Sequence, residues 1–547
     1  MLDIKIAGGT LIDGTGKARF QGDLGIEGDR IVSIGDLSKE DAKTVIDATG
    51  KFVSPGFIDF HTHSDFTVIY DHRCPSHLRS GVTTQVISNC GIGAAPCRDE
   101  RKDELLRYLG TRMVGNIPVQ LEINWNSMDE YLKYVESKEP ATNIVAYVAQ
   151  GPIRIDEMGF SYEKPTPEQL ANMKNEIVKA MEAGCVGMSS GLIYIPGAAT
   201  EKEELAELCK AMKPYGGFYC THMRNEGKTI TEALDEAIYI AKEGGVPLHV
   251  SHLKQAIGKD VTTTVADAMA KIAKARNEGM DISFDAYPYN TGSTSLAAFL
   301  PPWCCEGGVD KQIERLKDPE MRKKMTYDME NGIPGWQNFY GIHGSFNTTI
   351  VSTVVTDKNK DLEGLLVPEA AKKRGKSPMD FVFDLLIEER CRVQVIIEGM
   401  NQSDIDLAIS HPWGMVGSDS MDVATDGILS DGKPHPRFFG TFGRIFRRYV
   451  RGTGMLSFEE AVYKLTGLPA KRLSLTKRGL LKEGYYADVV VFDPDTIGDK
   501  ADYVNSKQYT EGIDAVLVNG NIAFADGDQK DVFEGRVLRR RSDGGVR

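Results

Sequence analysis

The apolar pattern changes period twice along the chain. Residues 1–54 read as short strands. Over 3–8, Ile4 and Ile6 fall on one side, the period-two signature of a half-buried strand. Gly8-Gly9 and Asp13-Gly14-Thr15-Gly16 are turn clusters, and strands over 23–27 and 30–34 flank a Gly28-Asp29 hairpin turn. Segments 45–48 and 51–53 complete the set. So short a stretch cannot bury a core alone. Its partner is expected at the other end, where 487–493 reads as a buried strand and 515–518 and 522–525 flank an Asn519-Gly520 turn. Residues 1–54 and 471–547 are therefore expected to build one small β-sandwich. The tail 539–547, a mixture of Arg, Asp and Gly, is expected to fray or to contact a partner.

Across 55–470 the pattern becomes alternating strand and helix. Thr166 is placed as an N-cap, with Pro167 at the first helical position and Gln169 closing a capping box. Leu170, Met173, Ile177 and Met181 follow at helical spacing until Gly184. Thr200 is expected to cap the next helix, which ends at Gly216-Gly217, and further helices lie around 231–243 and 264–278. The intervening strands start at 185, 218, 246 and 282, steps of 33, 28 and 36 residues, one strand–helix unit each. Strands at 57–60, 82–87 and 144–148 come earlier and one at 414–418 comes late. Eight such strands fit an α/β fold of the (β/α)8 TIM-like barrel type. Residues 290–345 break the rhythm with Asn290-Thr291-Gly292-Ser293, Leu300-Pro301-Pro302-Trp303 and a charged helical stretch over 311–331. They are expected to form an insertion between the seventh and eighth strands, with a lid and a plain surface excursion weighted equally.

In a barrel the chemistry sits at the C-terminal strand ends. The first strand lies in Ser54-Pro55-Gly56-Phe57-Ile58-Asp59-Phe60-His61-Thr62-His63, so His61 and His63, two apart, project the same way from its end. The second strand runs into Ser88-Asn89-Cys90-Gly91, the fifth ends in His222, and the sixth carries His249 and His252. Those two face opposite ways, and His252, nearer the C-terminal end, is assigned to the mouth. The eighth strand ends in Asp419. Only ten histidines exist in the 547 residues, and four stand at strand ends. Imidazoles with a thiolate suit zinc.

Hydrophobic residues make up 41% and charged residues 26%, ordinary for a globular protein. The net charge of −13 argues against nucleic acid or an anionic membrane as the main partner. Nine cysteines without a C-x-x-C pattern fit a reducing compartment. The N-terminus lacks the pattern of a signal peptide and no run is long and apolar enough for a membrane span, so a cytoplasmic location is expected.

Taken with Ser189-Ser190-Gly191-Leu192, Thr221-His222-Met223-Arg224, Ser251-His252-Leu253-Lys254, Gly417-Ser418-Asp419 and Lys433-Pro434-His435-Pro436-Arg437, these motifs make the chain resemble the N-acyl-D-amino-acid deacylases (D-aminoacylases) of the amidohydrolase superfamily. The resemblance implies a metallo-barrel with a β-sandwich made from both chain ends. It implies one tightly held zinc on Cys90, His222 and His252. A second, weaker metal position would be lined by His61, His63 and Asp419. Many superfamily members bridge two metals with a carboxylated lysine ending the fourth strand. That strand, Cys185-Val186-Gly187-Met188-Ser189-Ser190, has none, and Cys90 is the plausible substitute. Gln150-Gly151-Pro152 replaces the family's usual His-Gly pair after the third strand.

The implied reaction is hydrolysis of the amide of a small-molecule N-acyl-D-amino acid. Asp419 is implied as the group that takes the water proton and returns it to the departing amine. Tyr194, Lys254 and Arg437 are implied to hold the substrate's α-carboxylate. Two alternatives are a cyclic amide hydrolase of the dihydropyrimidinase/hydantoinase kind and a non-catalytic metal-binding homologue. Asp419 argues against the last, since a structural zinc needs only closed coordination.

Overall fold

The structure, a computed structural model, describes residues 1–112, 122–258 and 261–547. The fold is mixed α/β. At its centre lie parallel strands that neighbour one another in chain order. Phe57–Asp59, Val82–Ile87 and Asn143–Ala146 form one group. Val148–Ala149, Gly187–Gly191, Phe218–His222, Leu248–Val250, Ile282–Ala286 and Gly414–Val416 form another. The groups touch where Tyr147 N donates to Ile87 O at 3.2 Å. A parallel bridge between Thr62 and Ser420 joins the end of the first strand to that of the last. These strands are buried along their whole length, as parallel strands covered on both faces must be.

The helices between them are amphipathic. Pro167–Glu182 buries Met173, Ile177, Ala180 and Met181, and both bonds of its Thr166/Gln169 capping box form. Thr200 does not cap the following helix, Lys202–Met212, whose N-cap is Glu201 without a side-chain bond. The Thr200 hydroxyl is drawn inward instead, accepting from Gln150 Nε2 at 3.0 Å and donating to Pro196 O at 3.3 Å. A buried amide that needs a partner outcompetes an exposed helix end.

Strands from both chain ends share one nine-stranded sheet. Leu2–Leu11 pairs antiparallel with Phe20–Glu27 and parallel with Ala42–Asp47 and Phe52–Pro55. Phe52–Pro55 then pairs antiparallel with Val489–Phe492 from the far end. Ile4, Ile6, Leu24, Val489, Val491 and Leu517 fill a core of their own. Asn519 and Gly520 both have positive φ, 49° and 82°, which a type I′ hairpin turn requires. The tail is not frayed. Arg540 N donates to Gly184 O at 2.8 Å, Arg539 Nη1 donates to Ala183 O at 2.8 Å, and Val546 is fully buried. One buried valine among charges and glycines is too little apolar signal to reveal docking from composition.

The excursion before the last parallel strand runs well past residue 345. Thr291–Ser295, Thr349–Thr353 and Gln394–Glu398 form an antiparallel sheet, and residues from Leu296 to Ile397 pack into a separate core. Residues 346–400 alternate strand and helix as the rest of the chain does, so periodicity does not mark them off. No helix of the described residues is long and apolar enough to cross a membrane.

Close backbone packing sets the turn after the second strand. A Cβ on Gly191 would fall 2.1 Å from Cys90 O, and one on Gly91 would fall 2.7 Å from Gly191 N. Gly191→Ala is expected to push the Cys90 turn out of place and to destabilise by about 1–3 kcal/mol, the usual cost of overpacking. A thermal scan checks this; an unchanged melting temperature would refute the contact.

Candidate active site

Each metal-ligand candidate stands at, or within a few residues past, a strand's C-terminal end. His61 follows Phe57–Asp59, where Asp59 Oδ1 accepts His61 N at 3.1 Å and Ser418 N at 2.9 Å, tying the first strand's end to the last. Ser88 and Cys90 have φ of 65° and 53°, His252 33° and Asp419 51°. Four non-glycine residues in the left-handed region within one rim mark a locally strained backbone. Asp65 helps to hold that geometry, accepting Ser88 Oγ at 2.5 Å and Ser88 N at 3.1 Å.

The side chains converge. Cys90 Sγ lies 3.2 Å from His61 Nε2 and 3.4 Å from His252 Nε2. Asp419 Oδ1 lies 3.6 Å from His61 Nε2 and 3.1 Å from His63 Nε2. His61, Cys90, His252 and Asp419 each offer a ligand atom within 4.8 Å of the others, and His222, Glu226 and His252 form a second such group. His252 belongs to both. The grouping differs from the one the resemblance implies: Cys90 touches His61 and His252, whereas His222 faces Glu226. The His222 ring is nevertheless 4.4 Å from that of His252, centroid to centroid.

His249, as expected, turns away. Its Nδ1 meets Ser283 Oγ and its Nε2 meets Asp285 Oδ2, both at 2.8 Å.

The three expected carboxylate-binding residues border the same cavity as Cys90, His222, His252 and Asp419. Lys254 Nζ is 2.7 Å from both Glu226 Oε1 and His252 Nδ1. Arg437 Nη1 is 3.0 Å from Asp419 Oδ2. The Tyr194 ring lies 5.2 Å from that of His222, and its hydroxyl meets Thr294 Oγ1 at 3.1 Å.

The site's electrostatics suit a cation. Burial lifts the Cys90 thiol well above its usual pKa. Burial, then the charge of Lys254, pushes His252 down to about 3, and burial also lowers His222, so both rings are neutral. Neutral imidazole is the form that binds a metal. Burial opposes the charge of His61, but Asp285 outweighs it and raises that pKa. Burial also works against Asp419, yet the Arg437 guanidinium holds its carboxyl far below the ordinary range, so it is ionised. Both ring nitrogens of His222 and Nδ1 of His63 are buried without a hydrogen bond, although His222 Nε2 comes within 3.3 Å of Glu226. Buried nitrogens rarely go unpartnered. Thiol, imidazoles and carboxylate together form a donor set that fits a zinc-like ion.

The profile of the amidohydrolase family matches residues 44–524. The chain belongs to the amidohydrolase family. It is 33% identical to a D-aminoacylase of Alcaligenes xylosoxydans xylosoxydans, with 98% of each chain covered. A crystal structure of D-aminoacylase, described as defining a novel subset of amidohydrolases, superposes with a TM-score of 0.79 at 31% identity, covering 99% of this chain and 100% of that one. The N-acyl-D-glutamate deacylase of Bordetella bronchiseptica, solved with zinc and a phosphonate mimic of the tetrahedral intermediate, superposes with a TM-score of 0.81 at 30% identity, covering 98% and 99%.

In this amidohydrolase several site residues were not singled out from sequence. Asp285 accepts His61 Nδ1 at 3.3 Å and His249 Nε2 at 2.8 Å on one oxygen and His252 N at 3.0 Å on the other. A lone carboxylate inside the apolar strand Ile282–Ala286 was the available signal, because such strands seldom bury an acid without a task. Glu226, four residues after His222, was a weaker one. His77 Nδ1 meets Asp422 at 2.8 Å, across 345 positions, and its Nε2 meets Asp59 at 3.1 Å.

Two outcomes follow from these buried carboxylates. Asp285→Asn removes the charge and turns one of the two accepting oxygens into a donor, so that His61 and the His252 backbone can no longer both be held, and zinc affinity is expected to fall about 10- to 100-fold, the usual cost of losing such a partner. Competition against a chromophoric chelator measures it, and unchanged affinity in a folded variant would refute the assignment. Burial works against the charge of His77, but Asp422 and Asp59 prevail and raise its pKa from 6.5 to about 10. The imidazolium's contribution to stability is then complete below pH 6.5 and lost as pH rises through about 10. The stability gap between parent and His77→Gln, read by denaturant unfolding, is expected to narrow across that window. A gap that stays constant or widens would overturn the ion cluster.

Proposed function

We propose that this amidohydrolase cleaves the amide bond of N-acyl-D-amino acids, releasing a carboxylate and a free D-amino acid. The observation that carries the reading is a cavity in which the metal-ligand set and three carboxylate-binding side chains face one another. Relatives with D-aminoacylase and N-acyl-D-glutamate deacylase activity, similar over nearly the whole chain, support it.

Cys90, His222 and His252 hold the tight zinc in this reading, and His61, His63 and Asp419 line the weaker second position. Bound there, zinc lowers the pKa of water to about 7 and polarises the amide carbonyl. The chain's own groups supply the remainder. Lys254, Arg437 and Tyr194 fix the α-carboxylate, Arg437 offering the planar fork that matches it. Asp419, kept ionised, accepts the proton of the attacking water. As the bond from carbonyl carbon to nitrogen breaks, Asp419 returns that proton to the leaving amine. Glu226 Oε1 accepts Lys254 Nζ at 2.7 Å and lies 3.0 Å from His252 Nδ1, which keeps the two side chains in register.

The scaffold in this reading is a (β/α)8 barrel, roughly residues 55–470. Chain-order pairing and the Thr62–Ser420 bridge support closure. The shared terminal sheet folds over its own core as a small β-sandwich from residues 1–54 and 471–547, supported by the apolar cluster between the two ends. All nine cysteines are unpaired, which supports a reducing, cytoplasmic setting. Cyclic amide hydrolysis is the weaker reading, because the strand Gly187–Gly191 offers serines where a carboxylated lysine would stand.

Turnover of N-acetyl-D-methionine and N-acetyl-D-glutamate, their L-forms and a hydantoin tests the proposal. D-substrate activity lost on chelation and restored by zinc is expected; activity surviving complete metal removal would sink it. Asp419→Asn is expected to lower kcat by about 10²–10⁴-fold while zinc remains bound. Full activity in that variant would remove Asp419 from the proton path.

A further inference from the structure

Three cations border the cavity on separate elements, and two are already matched. Lys254 lies against Glu226 and Arg437 against Asp419. The third is Arg112, the last residue of the helix Lys102–Arg112. Its guanidinium carbon lies 4.4 Å from the Tyr194 ring centre and 5.5 Å from that of Tyr108. Its Nε and Nη1 are shut off from solvent without a hydrogen bond. Among the described residues no carboxylate pairs with it. The segment that follows it, 113–121, contains neither Asp nor Glu.

A guanidinium cannot shed its proton to escape this situation. The residue as a whole is half-buried, but N–H groups shut off from solvent are costly to leave without an acceptor. Stacking on aromatic rings returns a part of that cost but satisfies no N–H. The missing partner is therefore an anion that arrives with the ligand, and a planar fork of N–H donors selects a carboxylate.

We propose that Arg112 reads a second carboxylate of the substrate, apart from the α-carboxylate at Lys254 and Arg437. This rests on the N-acyl-D-amino acid reading above. The enzyme then prefers dianionic substrates. The second carboxylate belongs either to the amino acid, as in an acidic side chain, or to the acyl group, as in a dicarboxylic half-amide. Arg112 is a specificity residue here and takes no part in bond cleavage.

The zinc-loaded enzyme is assayed on N-acetyl-D-methionine, N-acetyl-D-glutamate, N-acetyl-D-aspartate and N-succinyl-D-methionine. The parent is expected to favour at least one dianionic compound, and which of them it favours identifies the source of the second carboxylate. In Arg112→Gln, kcat/KM for that compound is expected to fall about 10- to 100-fold more than for N-acetyl-D-methionine, chiefly through KM, as loss of a charge-assisted bond dictates. Arg112→Lys keeps charge without the fork and is expected to lie between, and it serves alone if the Gln variant does not fold. A parent indifferent to the second carboxylate overturns the proposal. So does an equal fall on every substrate, which would mean that Arg112 only props Tyr194. A parent inactive on all four compounds would instead overturn the reading of the reaction.

Discussion

The site depends on one buried carboxylate. Asp285 receives the His61 ring on one oxygen, shared with His249, and the His252 backbone on the other. It thereby ties the ends of two other strands to its own. Burial should penalise its charge, yet His61 and His249 hold its carboxyl far below the usual range. The charge is tolerable because its bonds are all made. With His61 Nδ1 engaged below, Nε2 is left to point at Cys90 and Asp419. The tautomer that serves a metal is therefore chosen by a residue that touches none.

The same logic holds further out. Asp59 takes the amides of His61 and Ser418 and is itself anchored by His77, which also binds Asp422. The cluster ties the first and last parallel strands together beneath the rim. Rigidity there allows strain above. Cys90, His252 and Asp419 all hold left-handed backbone conformations that cost free energy in isolation. Gly91 and Gly191 let the Cys90 turn approach the fourth strand more closely than any side chain permits. Chemistry is thus carried on turning residues, and the cost of turning is absorbed by a polar network underneath.

What was legible in the sequence was the part written in period and punctuation. Strands Phe218–His222 and Val82–Ile87 and the capped helix Pro167–Glu182 follow from apolar spacing and cap residues alone. The gathering of His61, Cys90, His222, His252 and Asp419 was readable because each ends a strand, and parallel strands present their ends together. What resisted reading was tertiary. Asp285 and His77 each reach one partner hundreds of positions away, His61 and Asp422, and no local pattern announces a long-range contact. Thr200 obeyed a buried amide instead of its own helix. The excursion beyond residue 345 has the rhythm of the main fold and differs only in which core it joins.

Arg437 shows how the remaining layers enter the site. It begins a helix, and its backbone N donates to Nδ1 of the buried His435 at 3.0 Å. Burial, followed by the nearby Arg437 charge, keeps His435 neutral, so its Nε2 carries the proton and donates to Thr291 Oγ1 at 2.5 Å. Thr291 opens the excursion's small sheet, and its hydroxyl also meets Tyr503 Oη at 2.6 Å, from the chain's far end. Arg437 is thereby held by the excursion and the C-terminal segment together, while its guanidinium rests on Asp419 from the parallel strands. The proposed exchange of Arg437 between Asp419 and a substrate carboxylate needs a backbone that does not move while the side chain does. Three regions fixing one residue supply that, which is why the terminal segment and the excursion belong to the site as much as the strands that carry its ligands.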